Sequence, residues 1–137
     1  MLSLGAAELQ EFMEDVQIER PKSAATWLAE YLPCVHTIYA LQILSAADDG
    51  DGWGAIHAAQ AALWNAGGGV LQADGEGVSN EDGHHILWQF SDNASGPWQM
   101  AVLNANGSWT AFEMDLGNDD HREAFLDGRV PVGVIPL

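Results

Sequence analysis

Residues 98–114 read Trp98-Gln99-Met100-Ala101-Val102-Leu103-Asn104-Ala105-Asn106-Gly107-Ser108-Trp109-Thr110-Ala111-Phe112-Glu113-Met114. Trp98, Met100 and Val102 share one face of the first run, the period-two signature of a half-buried strand. Asn104-Ala105-Asn106-Gly107 is a turn-forming sequence, because Asn and Gly tolerate the backbone angles that a tight reversal demands. Two strands, Trp98 to Leu103 and Trp109 to Met114, therefore form a β-hairpin.

Upstream, Ile86, Trp88 and Phe90 repeat the same period on another strand, with Gly96-Pro97 separating it from the hairpin. A further strand begins at Val70. Between these lies the densest polar stretch, Asp74-Gly75-Glu76-Gly77-Val78-Ser79-Asn80-Glu81-Asp82-Gly83-His84-His85. Trp53 to Ala66 is rich in alanine and carries Trp53, Ile56, Leu63 and Trp64, which predicts a well-packed helix ended by Gly67 to Gly69. Val35 to Leu44 fits a buried strand or a buried helix, and its β-branched and aromatic start favours strand. With the helix and the Val70 strand it would make a β-α-β unit, which prefers parallel pairing.

Towards the N-terminus, Leu9, Phe12, Met13 and Val16 follow the spacing of one helical face and predict a helix over Leu4 to Ile18. Pro21 breaks it. Ser23 is then placed to cap a second helix carrying Leu28, Tyr31 and Leu32, stopped by Pro33. Beyond the hairpin, Asp120 and Glu123 suggest a capping box for a helix over Asp120 to Asp127, and Gly128 its stop. Val130-Pro131-Val132 can be only an edge strand or an extended tail. The expected class is α+β in a single domain over 1–137: N-terminal helices and one inserted helix packed on one face of a mainly antiparallel sheet of about five strands.

Charge is the extreme property of the chain. Twenty Asp and Glu against four Lys and Arg give a formal net charge of -16 over 137 residues. Arg20, Lys22, Arg122 and Arg129 all lie near the ends, so residues 23–121 hold thirteen carboxylates and neither Lys nor Arg. A field of this sign repels nucleic acid and anionic lipid and attracts basic proteins, so neither nucleic acid nor a membrane is an expected partner. The start of the sequence lacks a basic, then apolar, leader pattern, and Cys34 alone cannot form an internal disulfide. The expected compartment is cytoplasmic.

Motifs for chemistry are weak. On a strand Asp74 and Glu76 point the same way, and with His84 they would offer two carboxylates and an imidazole to a divalent cation or to acid–base work. A loop rich in Gly, Asn and Asp for turn geometry explains most of the same letters. Glu76 between two glycines stands out, because glycine in a strand marks close approach of backbone or ligand. Adjacent His84 and His85 face opposite ways on a strand, no zinc spacing occurs, and Asp48, Asp49 and Asp51 fail the calcium-loop pattern at its fifth and twelfth positions. Gly77-Val78-Ser79-Asn80-Glu81 only approaches a nucleophile elbow, and Gly67-Gly68-Gly69 follows a helix with no phosphate-binding Gly-Lys-Ser. His57 reads as an interface histidine and Cys34 as a buried structural thiol.

Most of the six tryptophans are explained by core packing, whereas Trp109 shares its face with Ala111 and Glu113 and is expected to stay partly exposed. Exposed tryptophan among carboxylates suits a basic partner. The leading expectation is a non-enzymatic acidic binding module for a basic protein, contacting it through Asp74, Glu76, Glu81, Asp82 and Trp109 and needing no cofactor. By analogy of class, immunity and antitoxin proteins that inhibit basic toxins share this profile. The alternative is a small enzyme or divalent-metal domain centred on the Asp74 to His85 loop.

Overall fold

The computed structural model describes residues 10–11, 14–16, 18–39, 52–73 and 75–137. Five strands form one sheet in the order β1-β2-β3-β4-β5: β1 Leu71–Ala73, β2 Gly77–Ser79, β3 His85–Trp88, β4 Pro97–Leu103 and β5 Trp109–Asp115. The helices are α1 Lys22–Tyr31, α2 Gly52–Gly67 and α3 Asp119–Leu126, and a 3-10 turn, Leu32–Cys34, follows α1. The α+β class and the mainly antiparallel five-stranded sheet are as the sequence predicts.

The hairpin forms where expected, with β4 and β5 in register from Pro97↔Asp115 to Leu103↔Trp109. Its turn closes through Asn104 N donating to Ser108 O at 2.8 Å and Gly107 N to Asn104 O at 3.0 Å, with Gly107 at φ 86. β1–β2 and β2–β3 are also antiparallel. The parallel pair is β3–β4, joined at His85↔Met100, and not the predicted β-α-β unit. Of the predicted strand over 35–44, residues 35–39 belong to no named strand and the remainder lies outside the described residues. The strand beginning at Leu71 pairs antiparallel with β2 instead.

The helices cover both sheet faces, not one. Alternate residues of a strand point to opposite sides, and here they join different cores. Ala101 and Ala111 pack with Ala24, Ala25, Leu28 and Leu32 of the α1 region, whereas Met100, Val102, Phe112 and Met114 pack with Phe125 of α3. Small residues at 24 and 25 let α1 lie close to the sheet. Ile86 belongs with Leu87 to the α1-side core while Trp88 and Phe90 join the other, because the β2–β3 register shifts between Val78 and Ser79: Ile86 is the extra residue of a bulge, and the period-two face breaks inside β3.

Several local expectations are corrected. Pro21 precedes α1 without a side-chain cap, Ser23 lies inside the helix, and Pro33 sits within the 3-10 turn. α3 is capped by Asn118, whose Oδ1 accepts from His121 N at 3.1 Å, and not by Asp120. α2 has the predicted span but buries none of its residues, so it is not well packed. Cys34 is exposed, because the 3-10 turn points it away from the core that Leu32 enters. The helix predicted over Leu4 to Ile18 lies largely outside the described residues; Gln10, Glu11 and 14–16 are helical, and Ile18 is in a turn. The Asp48, Asp49 and Asp51 turn also lies outside them.

Arg122 on α3 ties the loops at this end together. Its guanidinium donates to Asp92 O at 3.1 Å and Leu116 O at 3.0 Å, and its carbon stands 5.1 Å from the Trp88 ring centroid. Val130-Pro131-Val132 forms no strand and leads into a turn in which Val134 N donates to Pro131 O at 3.2 Å; beyond it Pro136 bridges Phe112, and Leu137 N donates to Ala111 O at 2.8 Å.

Candidate functional site

On α1, Trp27 and Tyr31 are four residues apart and thus neighbours on one side of the helix. Their rings stack with centroids 5.0 Å apart at 20°. Trp109, at the start of β5, meets Trp27 edge-on at 5.1 Å and 83°. All three are half-buried, packed on one side against the α1-side core. They form a continuous aromatic ladder from α1 to the rim of the sheet, where the exposed Leu137 lies beside Ala111.

At the other end of the ladder the Tyr31 hydroxyl donates to Glu81 Oε1 at 3.3 Å. Burial, then the Glu81 charge and this bond, push the Tyr31 pKa above its ordinary value. Glu81 is held there by Asn80, which is almost fully buried. Asn80 Oδ1 accepts from Asp82 N and His84 N, each at 3.1 Å, while Asn80 N donates to His84 O at 2.9 Å and Gly83 N to Asn80 O at 3.0 Å. A buried asparagine whose side-chain oxygen accepts two bonds from its own loop fixes the loop's shape; its Nδ2 is buried without a hydrogen-bond partner among the described residues, and Glu81 and Asp82 are left exposed at the loop's tip. Among the described residues the ion pairs are Arg20–Asp127 and Arg129–Asp127, so no cation neutralises this tip.

The predicted site residues separate into two groups. Glu81 and Trp109 border the ladder region, Glu81 by direct contact with Tyr31 and Trp109 by contact with Trp27, and Asp82 follows Glu81 in the same loop. Glu76 lies at the opposite end of β2, where its carbonyl accepts from Gln89 N at 3.0 Å and bonds His85 Nε2 at 2.7 Å. His84 lies at the Asn80 end of the same hairpin, so Glu76 and His84 are not brought together. Asp74 lies outside the described residues. Among the described residues no group of three His, Cys, Asp or Glu is arranged to hold a metal.

His85 is buried, with Ser79 Oγ 3.5 Å from its Nδ1 and the Phe90 ring 4.8 Å away. Burial lowers its pKa, and the bonds to Glu76 and Leu87 oppose the shift. Gly77 explains why Glu76 is flanked by glycine: a Cβ there would collide with Leu87 O and stand 2.8 Å from His85 Nε2. The close approach that glycine signals is therefore of backbone and a buried ring. His57 is exposed, with its ring 6.0 Å from that of Trp53.

Trp27 and Tyr31 escape sequence reasoning because they sit one position ahead of Leu28 and Leu32 and read as part of the same apolar stripe. The available signal was the i, i+4 aromatic pair itself, which widens that stripe beyond what one sheet face covers. No protein family, no curated protein and no solved structure matches the chain.

Proposed function

We propose that the chain is a non-enzymatic acidic binding module that docks a basic protein. The observation that carries this reading is the Trp109–Trp27–Tyr31 ladder ending on the uncompensated Glu81 and Asp82. Aromatic side chains supply large contact area at small entropic cost, and carboxylates beside them steer a partner of opposite charge. Thirteen carboxylates without Lys or Arg over residues 23–121 make the field one-signed. In its specific form the module is a cytoplasmic inhibitor of the immunity or antitoxin type, covering the active site of a basic partner.

The test is affinity isolation of basic proteins from the native host with the tagged chain, each identified binder being titrated against salt. Identified binders whose affinity falls steeply with ionic strength, and which Trp109→Ala weakens at least about tenfold as expected of an aromatic anchor, support the reading. Binding indifferent to both salt and the substitution refutes it. For the inhibitor form, loss of the partner's own activity on complex formation is the expected result, and an unaffected activity excludes it.

A further inference from the structure

We infer that the binding face runs past the Trp109 end of the ladder onto Ile135 and Leu137, and that it takes an amphipathic segment of the partner there: an apolar side chain flanked by lysine or arginine. This rests on the basic-partner reading and names the kind of segment that docks. Strand register places the residues. Pro136 bridges Phe112 antiparallel and Leu137 N donates to Ala111 O at 2.8 Å, so Leu137 stands opposite Ala111. The same register carried one residue further sets Ile135 opposite Glu113. Alternate residues of an extended segment point to opposite sides. Val134 packs with the α3-side core, so Ile135 and Leu137 face the α1 side, which Ala111 and Trp109 share with Trp27.

The α1 helix does not cover this end of the sheet, since the cross-strand pair Gln99 and Glu113, on the same side as Ala101 and Ala111, is exposed. Ile135 and Leu137 are left 83% and 68% exposed, in line with the half-buried Ala111 and Trp109. Single exposed aliphatic residues are ordinary, whereas a contiguous apolar run ending on an aromatic is the make-up of an interface. Charge selects its occupant. β4, β5 and residues 130–137 carry neither Lys nor Arg, and Glu113 enters no ion pair among the described residues. A second copy would bring its own net charge of -16 against this face, and an anionic lipid surface is repelled in the same way. A cationic segment with an apolar anchor meets both demands: the anchor covers Ile135 and Leu137, and the cation reaches Glu113.

Fluorescence anisotropy with the full chain tests this at low ionic strength, using three labelled peptides: one with leucines between lysines, one with those leucines replaced by serine, and one with the lysines replaced by glutamine. The first is expected to bind about tenfold more tightly than either of the others. Ile135→Ser together with Leu137→Ser, both at exposed positions, should weaken it about fivefold, and Glu113→Gln about threefold. Val132→Ser is the control: Val132 is also exposed but lies in the cleft beside Asp120 and His121 of α3, and its loss should cost less than about twofold. Equal affinity for the leucine and serine peptides, or equal effects of the Ile135/Leu137 and Val132 substitutions, overturns this assignment while leaving the basic-partner reading standing. Equal affinity with and without the lysines, or failure of all three peptides to bind, overturns both. Dimers in sedimentation velocity that Ile135→Ser dissolves would give the face to a second copy and overturn the assignment as well.

Discussion

Gly77 and His85 show how one residue's freedom and another's burial depend on each other. Gly77 has φ 129 and no room for a Cβ, because Leu87 O and His85 Nε2 occupy it. Gly77→Ala should therefore destabilise the fold by about 3 kcal/mol or more, through clash and backbone strain together, read as a fall in the denaturant midpoint. A loss below about 1 kcal/mol would mean that the β2–β3 pair yields easily. His85 carries a pH signature. Its pKa lies below the ordinary 6.5 in the folded chain, so on acidification the unfolded chain takes up the proton first. The associated stability is intact above about pH 6.5 and is lost as the pH falls below it. His85→Gln should flatten the dependence of Tm on pH across this window, and an unchanged slope would assign it elsewhere. The sequence carried half of this: Gly77 was legible as a close-approach glycine, but what approaches it was not, because that depends on which strand pairs with β2.

At the scale of elements, legibility tracked locality. The β4–β5 hairpin was readable since its register follows from one turn and one alternation. α3 was readable in extent, but its cap was misplaced by two residues, because Asn118, Asp119 and Asp120 are all good caps and only the entering backbone selects among them. Asn118→Ala should remove the bond to His121 N and cost about 1 kcal/mol, whereas Asp120→Ala, whose side chain caps nothing, should cost less. Equal losses would mean that helix-end charge, not the capping bond, governs this terminus. The parallel β3–β4 contact and the splitting of helices between two faces were not legible, since both are set by long-range pairing. The binding ladder fell between these cases: Trp109 was visible from its own strand, whereas Trp27 and Tyr31 became candidates only once α1 was seen beside β5.

For the molecule as a whole, a net charge of -16 gives a ready account of solubility by mutual repulsion, and the sheet adds a second one. β1 is three residues long and flanked by glycines with positive φ, Gly69 and Gly75. On the other side, the tail sits against the middle of β5 at Ala111 and Phe112. Raising the salt to about 1 M shrinks the Debye length to about 3 Å and removes most of the repulsion, yet thioflavin T fluorescence should stay at baseline on prolonged incubation. A rise would show that charge alone had kept the copies apart. Among the described residues, neither rim of this sheet presents an uninterrupted free edge longer than three residues, and a fibril needs a template that each arriving strand can copy in full. The protein therefore carries its protection against amyloid in its outline as well as in its charge, and a partner that cancels that charge on binding does not thereby seed assembly.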